Sequence, residues 1–336
     1  MQTVICQQPG SLAVIERAVP VPAADEVLVR IRRVGICGTD FHIFAGEHPY
    51  LAYPRVMGHE LSGEIADAGP SARLRAGEPV YIDPYITCGT CHACCRGKPN
   101  CCARIRVLGV HADGGMAEFL CVPATNVHPA DGISLDQAAM VEFLAVGAHA
   151  VRRSGARACD RVLTVGAGPI GLGVIAAAQS IGCNPVVLDL RQERLHFCAD
   201  VFGVAGGFVA DAGVEAALTD VTAGDLFDVV IDATGNAGAM ERGFDYVAHG
   251  GTYVLVSVVR DTICFADPEF HKREMSLLGS RNALAEDFAA VVAAIEAGRI
   301  PTARLNTHRG ALQELPELMP RWLRPDAGVV KALLEV

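Results

Sequence analysis

At 336 residues the chain is long for one compact unit, and at roughly 100–200 residues per domain it reads as two. Acidic side chains outnumber basic ones, 38 to 28, for a formal charge of −10, and no basic run is longer than a pair. That balance excludes a nucleic-acid surface, which needs clustered Lys and Arg to neutralise phosphates.

The opening stretch, MQTVICQQPGSLAVIERAVP, has no basic start and meets Gly10 and Glu16 before any long apolar run, so it does not read as a secretory signal. The expected compartment is then a reducing cytoplasm, where clustered cysteines more often bind metal than form disulfides. EVLVRIRRVGI (Glu26–Ile36) alternates apolar and charged positions, as a half-buried strand does. ELSGEIADAG and GEPVYIDPY follow the same pattern, with Gly and Pro as punctuation. The chain shows no low-complexity linker and no internal repeat.

Residues with metal chemistry are threaded through this half. GICGTDFH (Gly35–His42), GHE (Gly58–Glu60) and Glu142 in MVEFLAVGAHAV offer Cys37, His59 and Glu60 or Glu142. Thiolate, imidazole and carboxylate are ligand types that zinc accepts, and a mixed set from scattered loops suits a catalytic ion better than a structural one. His149 in the same stretch reads as a packing histidine. CGTCHACCRGKPNCC places six of the 13 cysteines within 15 residues, Cys88 to Cys102. A zinc-ribbon module for nucleic acid is the rival reading of that cluster, and the acidic charge counts against it.

From about Cys159 the texture changes to apolar runs alternating with helix-like segments, which implies a parallel sheet covered on both faces. Val162 to Leu188 is 27 residues without a charge, long enough to span a bilayer at about 20 residues. Its glycines and prolines make strand, turn, helix and strand the better reading. Within it, VGAGPIG sets Gly166, Gly168 and Gly171 in G-x-G-x-x-G spacing, with Pro169 and Ile170 opening the helix. Such a turn lets backbone approach a pyrophosphate at a helix N-terminus. Asp189, 18 residues after Gly171, can accept hydrogen bonds from the adenosine ribose, which favours NAD over NADP. Arg191 and Arg194 nearby blur that preference. DLFDVVIDATGN and GGTYVLVSVV continue the pattern, EDFAAVVAAIEAGRI reads as an amphipathic helix, and GVVKALLEV as a closing strand.

GICGTDFH, GHE, the cysteine cluster, VGAGPIGL and HKREMSLLGSRNA together resemble the zinc-dependent medium-chain alcohol dehydrogenases over nearly the whole chain. The resemblance is to the polyol and sugar-acid branch, which includes sorbitol, threonine and L-galactonate dehydrogenases. It implies an α/β fold: a GroES-like β-rich catalytic domain at 1–147, a Rossmann doubly wound parallel-sheet domain at 148–282, and a return to the catalytic domain at 283–336. It implies Cys37, His59, Glu60 and Glu142 as catalytic zinc ligands, Glu60 being a movable carboxylate. Asp40 becomes the carboxylate that orients the ligand histidine, and Thr39 and His42 the proton relay. The branch places Pro after the carboxylate ligand; Phe143 stands there in this chain. Cys88, Cys91, Cys94 and Cys102 match the structural zinc lobe in C-x2-C-x2-C-x7-C spacing, which leaves Cys95, Cys101 and His92 as spares.

The resemblance thus implies NAD, two zinc ions per chain, a small-molecule alcohol substrate and a homo-oligomer, tetramer or dimer, with no nucleic-acid or membrane partner. GEHPYLAYPR (Gly46–Arg55) offers His48, Tyr50, Tyr53 and Arg55 to border the pocket, and Lys272, Arg273 and Arg281 add positive charge expected near the nicotinamide end. Arg194 and Arg281 are expected at the cofactor. These groups point to a hexonate such as L-galactonate or a sugar alcohol, with threonine or sorbitol oxidation, or a non-catalytic NAD sensor, as alternatives.

Overall fold

In the computed structural model, which describes residues 1–48, 51–69 and 73–336, Glu26–Ile36 is an 11-residue strand. Val27, Val29 and Ile31 are buried, and a register shift between Ile31 and Arg33 moves the buried positions to Val34 and Ile36. A bulge of this kind slips the two-residue side-chain period by one, which is why the alternation read from the sequence changes phase halfway. The strand pairs antiparallel with Glu60–Asp67, Phe119–Pro123 and the C-terminal strand Lys331–Glu335. Asn306–Ala311, Pro79–Ile82 and Val127–Pro129 complete a seven-stranded sheet.

Register positions the site. Gly35 lies opposite Glu60, and Ile36 lies opposite Ala332. Cys37, Glu60 and Lys331 therefore meet where three strands end or begin. Tyr85–Ile86 and Arg106–Val107 pair antiparallel as a short neck, and the cysteine-rich lobe is the chain between them.

The stretch without charges resolves into the strand Val162–Val165, the helix Pro169–Ser180 and the strand Val186–Asp189. No helix among the described residues is long and apolar enough to cross a membrane. These strands belong to a six-stranded parallel sheet ordered Gly206–Val209, Val186–Asp189, Val162–Val165, Phe227–Asp232, Val247–Leu255, Ser276–Gly279. Leu163, Val165, Val230 and Tyr253 pack on one face, and Val162, Val229, Ile231 and Val254 on the other. Both faces are buried, as a doubly wound sheet requires.

The chain divides into Met1–Glu142 with Thr302–Val336, and Phe143–Pro301. The expected divisions at 147/148 and 282/283 thus fall at 142/143 and 301/302. The Ala285–Glu296 helix belongs to the second unit because Asp287 binds both His149 (2.8 Å) and Arg152 (2.7 Å) of the Val141–Ser154 helix. His149 is accordingly a satisfied buried histidine, as read from the sequence.

Candidate active site and metal centres

Cys37 follows the Glu26–Ile36 strand and caps the Gly38–Ala45 helix, so its sulfur is presented by a backbone in transition between two regular elements. Asp40, fully buried, accepts from Cys37 N at 2.9 Å and from Gly58 N at 3.3 Å. Gly58 has φ +91°, and a side chain there would press on Val34, so the loop carrying His59 requires glycine at this point. Asp40 thus ties the Cys37 and His59 loops by their main chains. Its charge still reaches the ring. Burial opposes a proton on His59, but the Cys37 sulfur, Asp40 and Glu142 outweigh it and hold its pKa well above the ordinary range.

Sulfur, imidazole nitrogen and carboxylate oxygen of Cys37, His59 and Glu60 lie within 4.8 Å of one another. His59 Nδ1 is buried without a hydrogen-bond partner. An orphaned imidazole nitrogen in a negative, buried pocket with thiolate and carboxylate donors fits zinc. Lys331 Nζ stands 2.6 Å from both oxygens of Glu60 and 3.1 Å from Ile36 O. Gly35 is needed opposite, because a methyl group there would collide with Glu60 Oε2. Glu142 does not join the 4.8 Å group. It lies in the first turn of its helix, and its Oε1 accepts from the buried Tyr85 hydroxyl. Thr39 Oγ1 is 3.9 Å from Cys37 Sγ, and His42, exposed, places Nδ1 3.0 Å from Glu47 Oε2.

The second centre is formed by Cys88, Cys91, Cys94 and Cys102, whose sulfurs also lie within 4.8 Å of one another. Cys91 to Cys94 is 3.5 Å, Cys88 to Cys102 3.5 Å and Cys91 to Cys102 3.8 Å. A tetrahedron with Zn–S bonds of about 2.3 Å has an edge of about 3.8 Å, so the quartet fits zinc with no open position. The Thr90 amide and the Arg104 guanidinium lower the Cys88 pKa to about 5, which favours the thiolate a metal needs. Cys95, Cys101 and His92 are exposed and stand outside the quartet.

In the second unit, Gly166 takes φ +94° and Gly168 caps the Pro169–Ser180 helix. A Cβ on Gly171 would strike Gly166 O, so the turn and helix close on each other only as glycines. Pro169 and Ile170, half-buried, form the first helical turn. Asp189 ends its strand and accepts from Ala167 N at 2.7 Å and Arg191 N at 2.9 Å, bracing the glycine-rich turn. Arg194 lies on the helix that follows.

Several groups expected near substrate are committed elsewhere. Tyr53 donates to Ile43 O, and Arg55 binds Asp113 at 3.2 Å, a carboxylate shared with Arg17. Tyr50 lies outside the described residues. Arg273 donates to Asp245 O and Val247 O, at the amino end of a strand, with Lys272 beside it in sequence. Nucleotides bind at the carboxyl ends of parallel strands, so these two cations lie at the wrong edge for the nicotinamide. Arg281 follows the Ser276–Gly279 strand and lies at the carboxyl edge.

Lys331 and Tyr85 were not among the residues expected at the site. A lone lysine inside the apolar GVVKALLEV was the available signal for the first; nothing in the local pattern distinguishes the second.

Residues 23–132 match the alcohol dehydrogenase GroES-like domain, and residues 169–297 match the zinc-binding dehydrogenase domain. The chain belongs to the zinc-dependent medium-chain alcohol dehydrogenases, enzymes that use NAD(P). It is 42% identical to the L-galactonate-5-dehydrogenase of Escherichia coli (strain K12) over 99% of this chain and 98% of that one. The short chain alcohol dehydrogenase of Escherichia coli CFT073, complexed with NADH, superposes with a TM-score of 0.93 at 30% identity, covering 100% of this chain and 99% of that one. A zinc-binding dehydrogenase from Sinorhizobium meliloti 1021 bound to NADP gives a TM-score of 0.92 at 28% identity, again covering 100% and 99%.

Proposed function

We propose that the chain oxidises a secondary alcohol of a sugar acid, an L-galactonate-type hexonate, by hydride transfer to NAD. The observation that carries this reading is the 42% identity to L-galactonate-5-dehydrogenase across nearly the full length of both chains. Cys37, His59 and Glu60 would hold the catalytic zinc, with Glu142 as a further carboxylate ligand. Cys88, Cys91, Cys94 and Cys102 would hold a structural zinc, making two ions per chain. Bound in these places, zinc would polarise the alcohol oxygen and NAD would accept the hydride.

The chain's own groups handle the proton and the alignment. Thr39 takes the hydroxyl proton, and His42, exposed and paired with Glu47, releases it to solvent. Asp40 fixes the two ligand loops, and Lys331 offsets the charge of Glu60. Asp189 supports NAD over NADP, since a 2′-phosphate would meet its carboxylate; Arg194 and Arg281 stay assigned to the cofactor.

A polyol is the second reading, favoured by the engagement of Arg55 with Asp113, which removes one cation that would have bound a substrate carboxylate. A cytoplasmic location is supported by the grouping of Cys88, Cys91, Cys94 and Cys102 as metal donors, the use of clustered cysteines expected in a reducing compartment. A homo-oligomer, dimer or tetramer, is supported by the edge strand Ser276–Gly279, where Leu277 is exposed. Turnover of NAD⁺ with a panel of aldonates and polyols tests the reading: L-galactonate or a near epimer should give the highest kcat/KM, and a polyol ranking above every aldonate would favour the second reading.

A further inference from the structure

We infer that Tyr85 is a positioning residue for the catalytic centre: presented by the neck of the cysteine lobe, its hydroxyl holds the Glu142 carboxylate in place for metal binding. This rests on the reading of Glu142 as a zinc ligand. The Tyr85 hydroxyl donates to Glu142 Oε1, and both side chains are buried. No other donor to this carboxylate occurs among the described residues, so Oε2 is left as a donor atom. A buried carboxylate needs a hydrogen bond or a cation on its oxygens, and a partner on the far oxygen fixes which way a ligating carboxylate points.

The phenol is delivered by a main chain held at several points. Tyr85 N donates to Asp83 Oδ1 at 2.9 Å, and Asn126 Nδ2 donates to Asp83 O at 3.0 Å and Tyr85 O at 3.1 Å. Tyr85 also pairs with Val107 across the neck. The lobe begins three residues later at Cys88, so a lobe closed on its four sulfurs anchors the strand that carries Tyr85. The cysteine cluster thereby reaches the reacting centre through one hydroxyl.

Tyr85→Phe removes only that hydroxyl, and Glu142→Gln serves as the parallel variant. Zinc release from the two-zinc enzyme to a chelator is followed for each, together with the visible spectrum after Co²⁺ exchange at the catalytic site. Tyr85→Phe is expected to lose one zinc about 10- to 100-fold faster than wild type, to shift the Co²⁺ bands, and to keep the second zinc at the wild-type rate. If Glu142→Gln accelerates the loss and Tyr85→Phe does not, the positioning role is overturned while Glu142 stands as a ligand. If neither variant changes release or spectrum, Glu142 is not a ligand and the inference goes with that reading. Simultaneous loss of both zinc ions from Tyr85→Phe would also overturn it, by making Tyr85 a support of the fold.

Discussion

Lys331 Nζ lies 2.6 Å from both carboxylate oxygens of Glu60, with side-chain exposures of 1% and 0%. Removing two charges from water costs several kcal/mol each, and their attraction recovers this only when the geometry is good and the remaining hydrogen bonds are made. Here the third contact, to Ile36 O, places the ammonium one residue from Cys37. The pair fixes Glu60 beside Cys37 and His59 and keeps the region from carrying uncompensated negative charge.

Lys331→Met should therefore lower unfolding free energy by about 3–5 kcal/mol, because Glu60 would be left buried and unpaired. Lys331→Met combined with Glu60→Gln should lose much less. Denaturant melts of the two variants check this, and equal losses would show that the two side chains are not coupled.

Asp232 gives a pH prediction. Its Oδ1 accepts from Thr234 N at 2.9 Å and Thr234 Oγ1 at 2.8 Å, while its Oδ2 is buried without a partner. Burial raises its pKa from 3.8 to about 6. The folded state therefore holds the proton more tightly than the unfolded chain. That contribution to stability is complete below about pH 4 and lost as pH rises through about 6. Asp232→Asn, permanently neutral, should be more stable than wild type by about 1–3 kcal/mol at pH 8. The difference should close as pH falls toward 4. A gap independent of pH in paired thermal melts would rule out titration of Asp232 as its source.

Metal content separates the true cysteine ligands from their neighbours. Changing Cys95 and Cys101 together to Ser should leave two zinc ions per chain by elemental analysis, since both are exposed and outside the quartet. Changing Cys102 alone to Ser should remove one, because a three-sulfur site no longer closes the tetrahedron. Loss of zinc from the double variant would mean the ligand set is shifted by a residue.

Asp189 braces the glycine-rich turn through Ala167 N and carries the charge expected to exclude a 2′-phosphate. Asp189→Ala should lower kcat/KM for NAD and raise the NADP-to-NAD ratio. Steady-state kinetics with both cofactors read this directly. A fall in activity with an unchanged ratio would leave Asp189 with the bracing role alone.

Much of this was legible in the sequence because the signals were local. The spacing of Gly166, Gly168 and Gly171 and the run of apolar residues around them specify strand, turn and helix within 27 residues. The quartet of sulfurs is read from a 15-residue window. Lys331 and Tyr85 were not legible, since each acts across the fold on a partner 271 or 57 residues away. The cations of Arg55 and Arg273 looked available because their partners, Asp113 and two strand carbonyls, are likewise distant in sequence. Asp40 directs its oxygens to the main-chain amides of Cys37 and Gly58, a choice set by loop geometry that motif spacing does not encode.

Alcohol oxidation at the Cys37–His59 centre is tested most directly by NAD⁺ reduction with L-galactonate by wild type and by folded Cys37→Ser, each with its zinc content determined. Wild type should turn over, and Cys37→Ser should lose most of its turnover while keeping the zinc of the cysteine lobe. A Cys37→Ser enzyme that reduces NAD⁺ at a near-normal rate would contradict the assignment of the centre.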